Sequence, residues 1–260
     1  MEKVTVVKIG GSTFGSRDTT IEDIVSLQKQ GKSLVIVHGG ANLVTEWLTR
    51  LGISTRFVHG ERVTDAPTLE VVTAILAGLV NKEIVAAINI PGGRAVGISG
   101  VDGALIQGRM KDRETGYIGA VVKVNTALLE ALLSAGFIPV VSPLSLHSFD
   151  RPDDAPQIIN INGDPVAGDI AAALGAERLV FLTDVAGIRD QSGELISRLS
   201  AGEAQALMAS GVASGGMIPK INACLRALTV NSIARIIDGK KPHALLKELE
   251  DGDGGTTIYK

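Results

Sequence analysis

Six short apolar runs, Val4–Ile9, Ser33–Val37, Ala95–Ile98, Ile138–Val141, Leu179–Leu182 and Ile233–Ile237, constrain this chain more than any other feature. Most are apolar on successive residues rather than alternate ones, as in strands of a parallel sheet covered on both faces. Between them the apolar spacing changes to three and four. From about Pro67 to Ile88, Leu69, Val72, Leu76, Leu79, Val80, Ile84 and Ile88 recur at helical intervals. Thr64 or Asp65 suits the cap of that helix and Pro67 its first turn. Further helices are expected over Pro165 to Leu174 and Met217 to Leu228. Strand and helix in alternation predict an α/β fold with a doubly wound sheet. Thr55 to Thr64 and Leu105 to Val124 interrupt the rhythm and read as hairpins. Gly175 and Ala176 are the expected boundary between an N-terminal lobe, 1–175, and a C-terminal lobe, 176–260. Two lobes sharing one continuous sheet fit the pattern equally well.

Composition narrows the partners. Lys and Arg number 25 against 28 Asp and Glu, a net charge of −3, so no global positive field draws a nucleic acid. The single cysteine, Cys224, has no internal disulfide partner, and Met1 leads into the first strand without a leader pattern. Unbroken apolar runs fall far short of the ~20 residues of a membrane span. A soluble, cytoplasmic protein is expected, with neither nucleic acid nor membrane as partner.

Glycine is the informative excess, at 31 residues. In a doubly wound sheet, ligands bind beyond the carboxyl ends of the strands. Lys8-Ile9-Gly10-Gly11-Ser12 and Val37-His38-Gly39-Gly40-Ala41 place glycine pairs there. Paired glycines before a helix expose N–H groups and the positive end of its dipole to an anion, although either pair alone also reads as a tight turn. Lys8 interrupts an apolar run, so its charge must be paired or reach solvent. Ser214-Gly215-Gly216-Met217-Ile218-Pro219-Lys220 opens a helix with a lysine in its first turn, which the dipole disfavours unless an anion is near. Asn160-Ile161-Asn162-Gly163-Asp164 precedes a helix and reads as an N-cap, with Asp164 also able to fix two lysines. Thr183-Asp184-Val185-Ala186-Gly187-Ile188 follows a strand where a nucleotide would approach. Arg62 falls in a hairpin, either as a carboxylate partner or as a surface charge.

Common alternatives lack their signals. There is no GxxxxGK[ST] loop, no GxGxxG fingerprint, no GxSxG elbow, and the four histidines, His38, His59, His147 and His243, are scattered.

Taken in order, Lys8-Ile9-Gly10-Gly11, His38-Gly39-Gly40, Gly60-Glu61-Arg62-Val63-Thr64-Asp65, Asn160 to Asp164, Thr183 to Gly187 and Ser214 to Lys220 resemble the amino acid kinase superfamily, and its acetylglutamate kinase branch most closely. The likeness covers nearly the whole chain. It implies an open three-layer αβα sandwich with a mainly parallel central sheet. By the same resemblance Lys8 and Lys220 stabilise the transition state of phosphoryl transfer and Asp164 organises them. Gly39, Gly40, Arg62 and Asn160 hold N-acetyl-L-glutamate. Gly10, Gly11 and Ser12, then Thr183, Asp184, Val185, Gly187 and Ile188, and Gly215, Gly216 and Met217 line the ATP site. Mg²⁺ is expected on ATP oxygens and water, with no protein ligand. The first strand starts almost at Met1, whereas arginine-inhibited hexameric members carry an extra N-terminal helix. The resemblance therefore implies a homodimer without arginine feedback, joined through the Pro67–Ile88 helix.

Two positions depart from that pattern: Ala41-Asn42 stands where a further glycine is common, and Gly163 where alanine is usual. Gly163-Asp164 and Gly100-Val101-Asp102-Gly103 are also similar to a related kinase for carrier-protein-linked aminoadipate, the alternative acceptor. A non-catalytic amino-acid sensor on the same scaffold is a further alternative, expected to lack one of the two lysines.

Overall fold

The computed structural model describes residues 3–10, 19–58, 61–230, 233–250, 252 and 254–260. Its centre is an eight-stranded sheet in the order Arg198–Ser200, Thr256–Tyr259, Ile233–Asp238, Arg178–Thr183, Val4–Ile9, Ser33–His38, Ile138–Ser142 and Ala95–Ser99. All neighbours pair in parallel except Ile233–Asp238 with Thr256–Tyr259. Val4–Ile9 pairs with Ser33–His38 on one side and Arg178–Thr183 on the other, so the sheet runs unbroken past residue 175.

Alternate residues of the central strand feed two cores. Val4 and Val6 pack with Val35, Val37, Val166, Ile170 and Phe181 on one face. Val7 and Ile9 pack with Ile36, Leu76, Ile84 and Val180 on the other. Both faces are covered by helices, which explains why the strands are apolar on successive residues.

The long helix spans Ala66–Asn89, capped by Asp65, whose carboxylate accepts the Thr68 N–H at 3.0 Å. Its middle, Ala74–Val80, is π-helical. Buried Val72, Leu76, Val80, Ile84 and Ile88 recur every four residues. That interval outruns the 3.6-residue α-turn, and the wider π-turns keep the stripe facing the core. At 24 residues, with a mean hydropathy of 1.8 over its most apolar 18, this helix is by length and composition able to cross a membrane, although no unbroken apolar run in the sequence is that long. Its buried stripe belongs to the core.

Both expected hairpins form. Phe57–Val58 pairs with Glu61–Arg62, and Ile106–Met110 with Gly119–Val124 in a second, four-stranded sheet with Leu144–His147 and Ile158–Asn160. The two hairpins meet where Thr64 bridges Gly116, and Ile118 of the second hairpin bridges Asn160.

Candidate active site

Three segments converge at the carboxyl ends of the central strands. Lys8 lies one residue from the end of its strand and is buried. Asn162 caps the helix Gly163–Leu174 by accepting the Asp164 N–H at 2.9 Å, which fixes Asp164 at the start of that helix. Lys220 occupies the first turn of Met217–Ala227. The two helices approach closely because Gly168 has no side chain: a Cβ there would stand 2.7 Å from both Cα and O of Ala223.

Asp164 receives both lysines. Lys8 Nζ is 2.7 Å from Oδ1 and Lys220 Nζ is 2.9 Å from Oδ2. The Lys220 contact is an aligned hydrogen bond. The Lys8 contact is an ion pair outside hydrogen-bond alignment, which leaves Oδ1 without a directed donor. Burial alone would raise the Asp164 carboxyl, but the ammonium groups of Lys8 and Lys220 outweigh it and hold the pKa below its ordinary value. The anion that compensates Lys220 at its helix start is therefore Asp164 itself. Two cations on one carboxylate leave a net positive charge facing the space above.

Beside the triad lies a cavity of about 290 Å³ bordered by Lys8, Gly39, Gly40, Arg62, Asn160 and Gly163. Arg62 is buried to 7% exposure, which corrects its reading as a surface charge. Its Nη2 donates to the Ala41 carbonyl at 3.1 Å and the Thr45 hydroxyl at 2.7 Å, and its guanidinium lies 4.8 Å from the Phe57 ring centre. Its Nη1 is buried without a partner among the described residues. Such a donor costs free energy unless a ligand takes it, and a carboxylate is its natural acceptor. Asn160 donates to the Thr64 hydroxyl at 3.4 Å. The glycine pair ends in Gly40, at φ 152°, as the cap of the helix Ala41–Arg50. A methyl group at Gly163 would stand 3.3 Å from the His38 carbonyl and 3.6 Å from Lys8 Cε, so glycine there leaves slightly more room beside the lysine.

The residues expected to meet a nucleotide divide into two groups. Asp184, Val185, Gly215 and Gly216 are exposed, and Met217 is half-buried at the helix start beside Lys220. Gly187 and Ile188 are committed to packing. A Cβ at Gly187 would lie 2.5 Å from Thr256 Oγ1, while Ile188 is buried and its N–H donates to that oxygen at 2.8 Å. The Thr183 hydroxyl sits 2.8 Å from the Val185 carbonyl and closes the turn. Gly10 donates its N–H to Leu182 at 3.1 Å, tying the ends of the two central strands together. Gly11 and Ser12 lie outside the described residues.

Sequence reasoning missed His38, Asn81 and Phe57. Asn81 carried a readable signal, a polar residue inside the most apolar helix.

The family model for the amino acid kinase family matches residues 3–238. The chain belongs to the amino acid kinase family. Among its relatives, the protein named acetylglutamate kinase from Dehalococcoides mccartyi (strain CBDB1) is 55% identical over 255 residues, covering 98% of this chain and 94% of that one. This amino acid kinase also superposes on N-acetylglutamate synthase from Neisseria gonorrhoeae, solved with coenzyme A and N-acetyl-glutamate. The TM-score is 0.84 at 29% identity, over 99% of this chain and 59% of that chain. Carbamate kinase from Giardia lamblia shares the family's fold, with a TM-score of 0.73 at 15% identity over 99% of this chain and 98% of that one.

Proposed function

We propose that this amino acid kinase transfers the γ-phosphoryl group of MgATP to the γ-carboxylate of N-acetyl-L-glutamate, giving N-acetyl-L-glutamyl 5-phosphate, a step of arginine biosynthesis. The observation that carries the reading is the pair of lysines held on one buried carboxylate beside a cavity that also contains the unpaired Arg62 nitrogen. The names of the relatives support the choice of acceptor. In the transfer one acceptor oxygen forms a bond to the γ-phosphorus as the bond to the ADP oxygen breaks.

No proton has to move, because a free γ-carboxylate with pKa near ~4.3 is already ionised. The barrier is charge repulsion between two anions. Lys8 and Lys220 offset it by carrying positive charge to the transferring oxygens, while Asp164 keeps the two ammonium groups apart and in place. Arg62 and Asn160, with the Gly40 N–H, hold the amino-acid end, the Gly39 N–H being donated to the Ile9 carbonyl at 3.0 Å. The magnesium ion enters with ATP as part of the substrate, and both Asp164 oxygens are already occupied by lysines.

In this reading residues 1–175 bind the acceptor and 176–260 the nucleotide, so phosphoryl transfer runs across the strands that join the two lobes. A homodimer through the long helix belongs to the same proposal. In its most apolar window only 44% of the residues are buried, and Leu79 stands exposed on it. An isologous contact would cover that face. A cytoplasmic location fits the buried, unpaired Cys224.

Trapping the acyl phosphate with hydroxylamine tests the reaction. ATP-dependent hydroxamate is expected from N-acetylglutamate and not from free glutamate, aspartate or aminoadipate. Product only from an unblocked or carrier-bound acceptor contradicts the proposal.

A further inference from the structure

His38 ends the second strand and is completely buried beneath the glycine pair. Its Nδ1 is 2.8 Å from the Gly39 carbonyl and its Nε2 is 3.2 Å from Asn81 Nδ2. Asn81 is the first residue after the π-helical segment. Its Nδ2 also donates to the Val140 carbonyl at 2.9 Å, and its Oδ1 accepts from Lys82 Nζ at 3.0 Å.

This network fixes the ring tautomer. A carbonyl only accepts, so Nδ1 must carry the hydrogen that meets Gly39. Asn81 turns its amide nitrogen to the Val140 carbonyl and, at 3.3 Å, the Ile98 carbonyl, and its oxygen to the Lys82 ammonium, so Nε2 faces an NH2 group that cannot accept and carries no hydrogen itself. A protonated ring would set two donors against each other. Burial pushes the His38 pKa down to about 4 despite the bond to Gly39, and the facing charges of Lys8 and Lys82 add to the shift. The contacts and the burial both favour a neutral ring, and neither of its nitrogens is free to act as a base.

The consequence lies on the far side of the Gly39–Gly40 peptide. No peptide among the described residues is cis, and in a planar trans peptide the C=O and the following N–H point in opposite directions. Holding the Gly39 carbonyl on His38 therefore aims the Gly40 N–H away from His38. Gly40 borders the cavity, and no acceptor among the described residues takes its N–H. Bonds on either side pin the rest of the pair: the Gly39 N–H donates to the Ile9 carbonyl at 3.0 Å and the Gly40 carbonyl accepts the Val44 N–H at 3.1 Å, which leaves the Gly39 carbonyl to His38.

We infer that His38 and Asn81 are positioning residues: they hold the Gly39 carbonyl and so aim the Gly40 N–H at an anionic oxygen of the bound reactants. The inference rests on the acceptor site proposed above. It also gives the π-helical segment a role, since that segment sets Leu76 and Val80 against Gly40 and delivers Asn81 to His38.

Two measurements test it. ¹⁵N spectra of the wild-type histidine rings should show His38 protonated at Nδ1 and bare at Nε2, unchanged from about pH 5.5 to 8. A charged ring, or one protonated at Nε2, would overturn the inference whatever the enzyme's acceptor. In kinetics, His38→Asn keeps a donor near the Nδ1 position and His38→Leu removes it. His38→Leu should lower kcat/KM for N-acetylglutamate roughly tenfold with the KM for ATP unchanged, and His38→Asn should recover most of the loss. Adding Asn81→Leu to His38→Leu should lower kcat/KM no further in folded protein, because Asn81 acts on the Gly39 carbonyl through the ring, while its lost bonds to Val140 and Lys82 lower stability. A folded His38→Leu with wild-type kinetics, or His38→Asn no better than His38→Leu at equal stability, would refute it. Wild-type protein that makes no acyl phosphate from N-acetylglutamate would instead remove the proposed function, and the ring spectra would still decide the geometry.

Discussion

Lys8 and Asp164 meet at 2.7 Å, the ammonium supplied by the innermost strand and the carboxylate by the capped start of a helix. Neither charge could stay buried alone, and a second cation, Lys220, takes the other oxygen. The arrangement holds two lysines ready before any substrate binds.

Replacing Asp164 tests that coupling through pH. Its folded pKa lies below the ordinary 3.8, so the unfolded chain binds more protons in that interval and stability rises with pH there. The stabilisation is complete above 3.8 and is lost as pH falls through the folded value. Asp164→Asn should cost about 3 kcal/mol at neutral pH, with the deficit shrinking below about pH 4. Urea unfolding at several pH values measures this, and a deficit that does not change with pH contradicts it.

Arg62 should govern the acceptor and not the nucleotide. With Nη2 anchored on Ala41 and Thr45 and Nη1 left for a ligand, the role needs both arms of the guanidinium. Arg62→Lys should therefore raise the KM for N-acetylglutamate by roughly 10- to 100-fold, nearly as much as Arg62→Ala, with the KM for ATP unchanged. Full function in Arg62→Lys would exclude a forked contact.

Gly168 controls the distance between the helices that carry Asp164 and Lys220. A methyl group there meets the backbone of Ala223, which cannot swing aside. Gly168→Ala should cost about 1–3 kcal/mol of stability and lower kcat roughly tenfold or more, although the residue touches neither substrate. Unchanged kcat would show that the triad tolerates the shift.

Arg235 and Glu248 form a second buried ion pair away from this cavity. Arg235 Nη2 lies 2.7 Å from Glu248 Oε2 and also binds the Gly252 and Gly254 carbonyls. Removing one partner strands the other, so Glu248→Leu should cost about 3–5 kcal/mol. Arg235→Met with Glu248→Leu should recover part of that loss. Kinetic constants of the folded variants should match wild type. A double variant less stable than Glu248→Leu would show that the Arg235 bonds to the loop dominate.

Six of the eight strands of the central sheet were legible from their apolar runs, each within a residue of its observed end, because a doubly covered parallel sheet leaves that local mark. Lys8 and Lys220 were legible because a charge in a buried strand and a cation at a helix start are both costly without a partner. Arg62 read equally well as a surface charge, since its burial depends on Ala41, Thr45 and Phe57 arriving from other elements. The His38–Asn81 contact and the Gly168–Ala223 approach were hidden for the same reason. The π-segment left only a faint trace, the four-residue interval of its buried stripe.

The central claim is that Lys8 and Lys220 carry the phosphoryl transfer, and acyl hydroxamate formation from N-acetylglutamate at saturating MgATP tests it most directly. Each positioned donor is expected to be worth about 2.7–4 kcal/mol of barrier. Lys8→Ala and Lys220→Ala, folded as judged by cooperative unfolding, should each lose roughly 100- to 1,000-fold in kcat. A kcat near wild type in either folded variant would contradict the account.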